Sequence, residues 1–206
     1  NWQDDYTIWD CAAGTGNLLA GLTNKYNIYA STLDQADVNV MHERIDHGAN
    51  LLKNHVFQFD FLNDDFTKLP QSLQDIINNE EKRKKLVIYI NPPYAEADNR
   101  QGDGRTGVAE SEIHKKYSDL MGYTKREMYI QFLTRIYCEM PHVVIANFAK
   151  LKNLQAPKFS EFRAFFQAKL EKLFITPADT FDNVKGQFPI GFFIWNTNKK
   201  EEFKYI

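Results

Sequence analysis

Thr7-Ile8-Trp9-Asp10-Cys11-Ala12-Ala13-Gly14-Thr15-Gly16-Asn17 joins a short apolar, β-prone run to a turn built of small residues. Glycine has no side chain and reaches backbone conformations closed to other residues, so Gly14 and Gly16 let the main chain come close to a ligand. Asp10 adds an anionic hydrogen-bond acceptor at the strand end. A tight strand-to-helix turn with no ligand satisfies the same residues. Leu19 stands where the dinucleotide fingerprint has its third glycine, which favours some other nucleotide-like ligand over NAD.

Beyond that turn, apolar β-rich runs alternate with helical stretches, the pattern of a parallel sheet covered by helices on both faces. Strands are expected from Thr7 to Asp10, Ile28 to Leu33, Val56 to Phe59, Leu86 to Ile90, Val143 to Asn147, Leu173 to Thr176 and Phe188 to Trp195. Helices are expected from Asn17 to about Asn24, Gln35 to about Asn50, Ser72 to Glu81, Thr124 to Met140 and Ser160 to Ala168. Thr124 and Glu127 have the spacing of a capping box, and Ser160 fits an N-cap. Ala95 to Gly107, rich in Gly, Asp, Asn and Arg, reads as a long loop. A short polar connection between the last two strands predicts an antiparallel pair at the sheet edge. The fold class is therefore α/β: a doubly wound, mostly parallel seven-stranded sheet with an antiparallel edge hairpin, Rossmann-like.

The 206 residues, 43% of them hydrophobic, can bury one substantial core, so a single domain over 1–206 is expected. A formal charge of -2 excludes a chain that coats nucleic acid by charge alone and leaves local contacts open. Cys11 and Cys138 form no Cys-x-x-Cys pair, which suits a reducing cytoplasm and argues against zinc. His42 and His47, five apart on an expected helix, point about 140° away from each other, so no metal site is expected. No apolar run reaches the roughly 20 residues of a membrane span, so no membrane partner is expected. The chain starts at Asn1 and shows no secretory signal, which reads as a piece excised from a longer protein.

Two further strand ends carry carboxylates. Asp34 follows Asp10 by 24 residues, where such folds place an acceptor for ribose hydroxyls; a helix N-cap is the other reading of the same residue. Asp60 can accept an adenine amino hydrogen, and Phe61 beside it offers a ring for stacking. The order of these groups along the chain follows the parts of one adenosine-containing cofactor.

Asn91-Pro92-Pro93-Tyr94 comes directly after the apolar run Leu86 to Ile90. Prolines have no N–H and a fixed φ, so the two of them hold a rigid turn that presents carbonyl oxygens without competing donors. An aromatic amine such as adenine N6 is a poor nucleophile because its lone pair is delocalised into the ring. Acceptance of both amine hydrogens, by the Asn91 side-chain oxygen and the Pro92 carbonyl, turns that lone pair toward a methyl donor and stabilises the positive charge growing on nitrogen. Tyr94 can lie flat on the base and Pro93 can border it, once the base has left the duplex stack.

With these motifs the sequence resembles the N6-adenine DNA methyltransferases of bacterial restriction-modification systems, from Asp10 to about Trp195. The resemblance implies S-adenosylmethionine as cofactor, with Asp10 at its methionine end, Ala12, Gly14 and Gly16 lining its backbone, Asp34 on the ribose, and Asp60 and Phe61 on the adenine. It implies catalysis by Asn91, Pro92 and Tyr94 on a flipped adenine of double-stranded DNA. In Gln187 to Trp195 it implies a second aromatic against the base, Phe188, for which a core position is the alternative. A target-recognition domain and a restriction endonuclease domain or subunit are implied partners outside this chain. Lys82, Arg83, Lys84 and Lys85 precede the fourth strand and read as a solvated helix end, whereas Arg100, Arg105, Lys150 and Lys152 are the better phosphate contacts. The same chemistry serves methylation of glutamine in proteins or of amino groups in RNA bases. A nicotinamide-dependent oxidoreductase and a noncatalytic nucleic-acid module fit the motifs less well.

Overall fold

Seven strands form one sheet in the order β3-β2-β1-β4-β5-β7-β6 in the computed structural model, which describes residues 2–93, 111–177 and 189–202. Along the chain run β1 (Thr7–Asp10), β2 (Ile28–Thr32), α1 (Gln35–Asp46), β3 (Val56–Gln58), α2 (Gln71–Ile77), α3 (Glu80–Arg83) and β4 (Leu86–Ile90). They are followed by α4 (Glu112–Met121), α5 (Met128–Glu139), β5 (Val144–Lys150), α6 (Lys152–Gln155), α7 (Ser160–Phe165), β6 (Ala168–Pro177) and β7 (Pro189–Lys200). β1 to β5 pair in parallel, while β7 is antiparallel to both β5 and β6. The expected doubly wound sheet with its antiparallel edge pair is thus present. Strand order reverses between β1 and β4, so the loops leaving those strands part from each other and open a crevice at their C-terminal ends.

The larger core lies on one face, where Trp9, Ile88, Ile90, Ile145, Phe193 and Trp195 pack with Tyr129, Leu133 and Ile136 of α5. Tyr129 through Ile136 are all buried, as befits a helix enclosed by sheet and neighbouring helices. A smaller core on the other face joins Ile8, Ile28 and Ala30 to Val38 and Met41 of α1.

Several expected helices are corrected. The stretch from Asn17 to Asn24 holds only a 3-10 turn, Asn17–Leu19, because Gly16 and Gly21 both adopt positive φ, 82° and 88°. α1 stops at Asp46 ahead of Gly48, whose φ is 97°. The helix expected from Ser72 to Glu81 is two, since the Asn79 side chain accepts from Lys82 N and starts a new one. Thr124 forms no capping box: its hydroxyl donates to Met121 O, Gly122–Arg126 is 3-10, and α5 begins only after Glu127. Phe159, not Ser160, occupies the N-cap of α7, after a 3-10 turn at Pro157–Phe159. α4 escaped the sequence reading altogether; Ser111 caps it by accepting from His114 N at 2.9 Å. No described helix is long and apolar enough to cross a membrane.

Candidate active site

A cavity of about 430 Å3 occupies the crevice between β1 and β4. Cys11, Ala12 and Gly14 border it from the turn after β1, Asp60 and Phe61 from the turn after β3, and Asn91 and Pro93 from the turn after β4. Met128 and Phe132, one turn apart on α5, close the side. Pro92 is buried, whereas Asn91 and Pro93 are exposed at the opening. Cys11 and Asn91 are too far apart in sequence for local structure to join them. The parallel pairing of β1 with β4, Thr7 to Leu86 and Trp9 to Ile88, sets their turns side by side.

Asp10 is 1% exposed, and one carboxylate oxygen accepts from Ala12 N at 3.0 Å. Removal from water disfavours its charged form more than that single bond favours it, so the pKa rises to about 7. The turn is anchored further by Ala13 N to Ser31 O at 3.0 Å and by Trp9 Nε1 to Ser31 Oγ at 3.0 Å. Burial, and the neighbouring Asp10 carboxylate, push the Cys11 thiol well above its usual range, so Cys11 supplies no thiolate nucleophile to the cavity. Gly14 lines the cavity at φ 51°, but Gly16 faces away: a Cβ there would meet Met41 Sδ at 3.1 Å.

The other expected cofactor contacts divide. Asp60 lies at the cavity, its two oxygens accepting from Leu62 N at 3.0 Å and Asn63 Nδ2 at 2.7 Å, which leaves each with acceptor capacity. The Phe61 ring is 2% exposed, stacked on Phe132 at 5.0 Å and edge-on to Trp9 at 5.6 Å, so it forms a rigid wall. Asp34 is exposed and caps α1, accepting from Ala36 N at 3.0 Å; the cavity is bordered by Thr32 and Leu33 instead. Tyr94, Phe188, Arg100 and Arg105 lie outside the described residues. Lys152 is engaged by Glu127, while Arg83 donates to Pro141 O and Lys84 pairs with Glu80 and Glu81, as suits a helix end.

Arg135 was not singled out from sequence. It is 4% exposed; its guanidinium donates to Phe61 O, to Asp64 O at 2.8 Å and to Glu139 at 2.8 Å, and covers the Phe66 ring at 4.2 Å. It thereby ties α5 to the turn that carries Asp60. The available signal was an Arg135–Glu139 pair at i,i+4 spacing on the same face of α5 as Met128 and Phe132. Arg135→Met strands two carbonyls and a carboxylate, so the urea midpoint should fall by an amount equal to about 3 kcal/mol. Arg135→Lys should recover only part of that, because an ammonium cannot fork between the partners.

No protein-family model matches the chain, and no curated protein matches it. Solved structures do share its fold. A DrdV–DNA complex is similar over 95% of this chain and 24% of its own, with a TM-score of 0.67 and 14% identity. The type IIG restriction endonuclease BpuSI matches over 95% of this chain and 23% of its own, with a TM-score of 0.63 and 20% identity. A candidate class I S-adenosylmethionine-dependent methyltransferase of Listeria monocytogenes matches over 98% and 57%, with a TM-score of 0.60 and 14% identity. The chain therefore has the Rossmann-like α/β fold of class I methyltransferases. It spans about a quarter of the length of the first two structures.

Proposed function

We propose that this chain is the catalytic unit of an S-adenosylmethionine-dependent methyltransferase acting on the N6 amine of adenine in DNA, within a restriction-modification system. The observation that carries the reading is that Asn91 and Pro93 line one cavity together with Cys11, Ala12, Gly14 and Asp60. The cavity's size falls in the roughly 300–1,000 Å3 range of ligand sites. Its donors and acceptors fit the cofactor: Asp60 can accept from an adenine amine, Phe61 and Phe132 wall the ring, and Gly14 leaves room for the chain beyond the ribose. The cofactor supplies an electrophilic methyl group on a positively charged sulfur.

The residues of this chain supply position and charge. Asn91 Oδ1 and the Pro92 carbonyl accept the two hydrogens of the target amine, hold its nitrogen at the cavity mouth and stabilise the charge that develops there. The protonated product amine is strongly acidic and loses its proton to water, so no strong base is needed. Tyr94 stacks on the extruded base and Phe188 bounds its other side. DNA as substrate is supported by the shared fold with the DrdV–DNA complex and the restriction enzyme BpuSI. Sequence recognition and any nuclease activity belong to segments or subunits beyond these residues.

S-Adenosylmethionine and S-adenosylhomocysteine at 100 times their Kd should each add about 2.7 kcal/mol of stability, a rise in Tm of roughly 5–10 °C, with no response to NADH. Methyl transfer should then appear on adenine-containing duplex DNA. Stabilisation by NADH alone would sink the reading, and transfer to RNA or to a glutamine peptide instead of DNA would replace the substrate.

A further inference from the structure

Two cations and a phenol converge near the cavity, at the edge of the sheet where β4 and β5 end. The 3-10 turn Gly122–Arg126 leads into α5, whose first residue, Met128, borders the cavity. Buried Gln131 ties that turn to the cavity wall: its amide nitrogen donates to Lys125 O at 2.7 Å, and its oxygen accepts at 2.7 Å from the hydroxyl of Ser111, another cavity residue. The 3-10 turn Pro157–Phe159, which follows β5 and α6, packs against it from the other side. Five residues of mostly 3-10 backbone carry the chain from Tyr123 to Met128, a span of no more than about 15 Å.

Tyr123 is 47% exposed, and its hydroxyl oxygen accepts from Lys158 Nζ at 3.2 Å and from Arg126 Nη1 at 3.3 Å. A phenol oxygen that takes two donors still has its own hydrogen to give, and none of the described residues accepts it. Lys158 meets no carboxylate among the described residues; Glu161, the acid beside the cluster, accepts from Tyr123 N at 3.2 Å instead. Lys158, and after it Arg126, hold the phenol pKa below its usual range and so strengthen its O–H as a donor. Three donors, two of them cationic, thus meet at one exposed point, a combination that suits the several anionic oxygens of a phosphate. Resting on the reading of the substrate as DNA, we propose that the Tyr123 hydroxyl, Lys158 and Arg126 hold a backbone phosphate of the strand whose base enters the cavity.

Anisotropy of a labelled adenine-containing duplex, titrated with the whole chain and S-adenosylhomocysteine at about 50 and 150 mM salt, tests this. Lys158→Gln should weaken DNA binding about tenfold and reduce the slope of log affinity against log salt by about 0.9, the share of one phosphate contact. Tyr123→Phe should weaken binding about fivefold and leave the slope unchanged, because a hydrogen bond is lost and no charge. Both variants should keep the native affinity for S-adenosylhomocysteine and a Tm within about 2 °C, as substitutions at exposed sites do. Lys84→Gln, at the opposite edge of the sheet, should alter neither DNA affinity nor slope. Native DNA affinity in Lys158→Gln or Tyr123→Phe overturns the proposal alone, as does an equal loss in Lys84→Gln or a matching loss of cofactor affinity. A native chain that binds S-adenosylhomocysteine but no DNA, or binds RNA of the same sequence more tightly, instead defeats the DNA reading on which the proposal rests.

Discussion

Asn91→Ala should abolish methyl transfer while leaving the affinity for S-adenosylhomocysteine within about threefold of the native value. Asn91 stands at the C-terminal end of β4, exposed at the cavity, and the buried Pro92 behind it fixes the turn. On the proposed reading, an alanine would remove one of the two acceptors that the target amine needs and leave the cofactor contacts proposed for Asp60 and Gly14 in place. Deletion of one preorganised group that meets developing charge lowers kcat by about 10²–10³, and a second loss is expected here because the amine is also no longer aimed. Radiolabelled methyl transfer in a single turnover, alongside a binding titration, separates the two effects. Parallel losses in rate and cofactor affinity would move Asn91 from the target amine to the cofactor. Asn91→Asp is informative beside it: the oxygen remains, so part of the rate should return.

How far the sequence foretold this site depends on whether each feature is local. β1 and β4 were legible to the residue, because short apolar runs end in residues that cannot continue a strand, Cys11 to Gly14 in one case and Asn91 to Pro93 in the other. The positions of Asp60 and Asn91 at the cavity were legible for the same reason, whereas Asp10 lies buried just before the cavity-lining Cys11. Asp34 was legible as a strand-end position, and the helix-cap reading of it holds: one carboxylate oxygen accepts from Ala36 N. The turn around Gly16 is also held by Arg44, whose guanidinium reaches back to Thr15 O at 2.8 Å and Asn17 Oδ1 at 2.6 Å, a contact between residues far apart in sequence. The carbonyl partners of Arg135, 74 and 71 residues earlier in the chain, were invisible in the same way. Such roles arise from tertiary packing, which periodicity and motif spacing do not encode.

Asp10→Asn should make the protein more stable at pH 8 and much weaker for its cofactor. The carboxyl has a folded pKa of about 7 against an ordinary 3.8, so the folded state holds its proton more tightly than the unfolded chain does. Stability from this group is therefore complete below about pH 4, declines as pH rises toward 7 and is flat above. At about 1.4 kcal/mol per unit, ionised Asp10 costs the fold roughly 4 kcal/mol at pH 8. Asparagine keeps the acceptor for Ala12 N and carries no charge, but it buries an amide that needs a partner, at about 1–3 kcal/mol. A net gain of about 2 kcal/mol remains, near 5 °C in Tm, and it should shrink as the comparison is moved from pH 8 to pH 5. Binding should respond in the opposite sense. On the proposed reading, with Asp10 behind the cavity-lining Cys11, the ammonium at the methionine end of the cofactor would offset the buried carboxylate, so affinity should rise with pH up to about 7 and level off, with proton release seen by calorimetry in two buffers. In Asp10→Asn that pH dependence should vanish and affinity fall by about a hundredfold, the cost of losing one member of a desolvated charge pair. A variant with unchanged Tm at both pH values would show that the carboxylate is not penalised by burial, and one that binds as tightly as the native protein would remove Asp10 from the cofactor site. The expected opposition of stability and binding has a physical origin: a buried charge without a cation is costly to the empty fold, and the same charge is what makes the cation's arrival favourable.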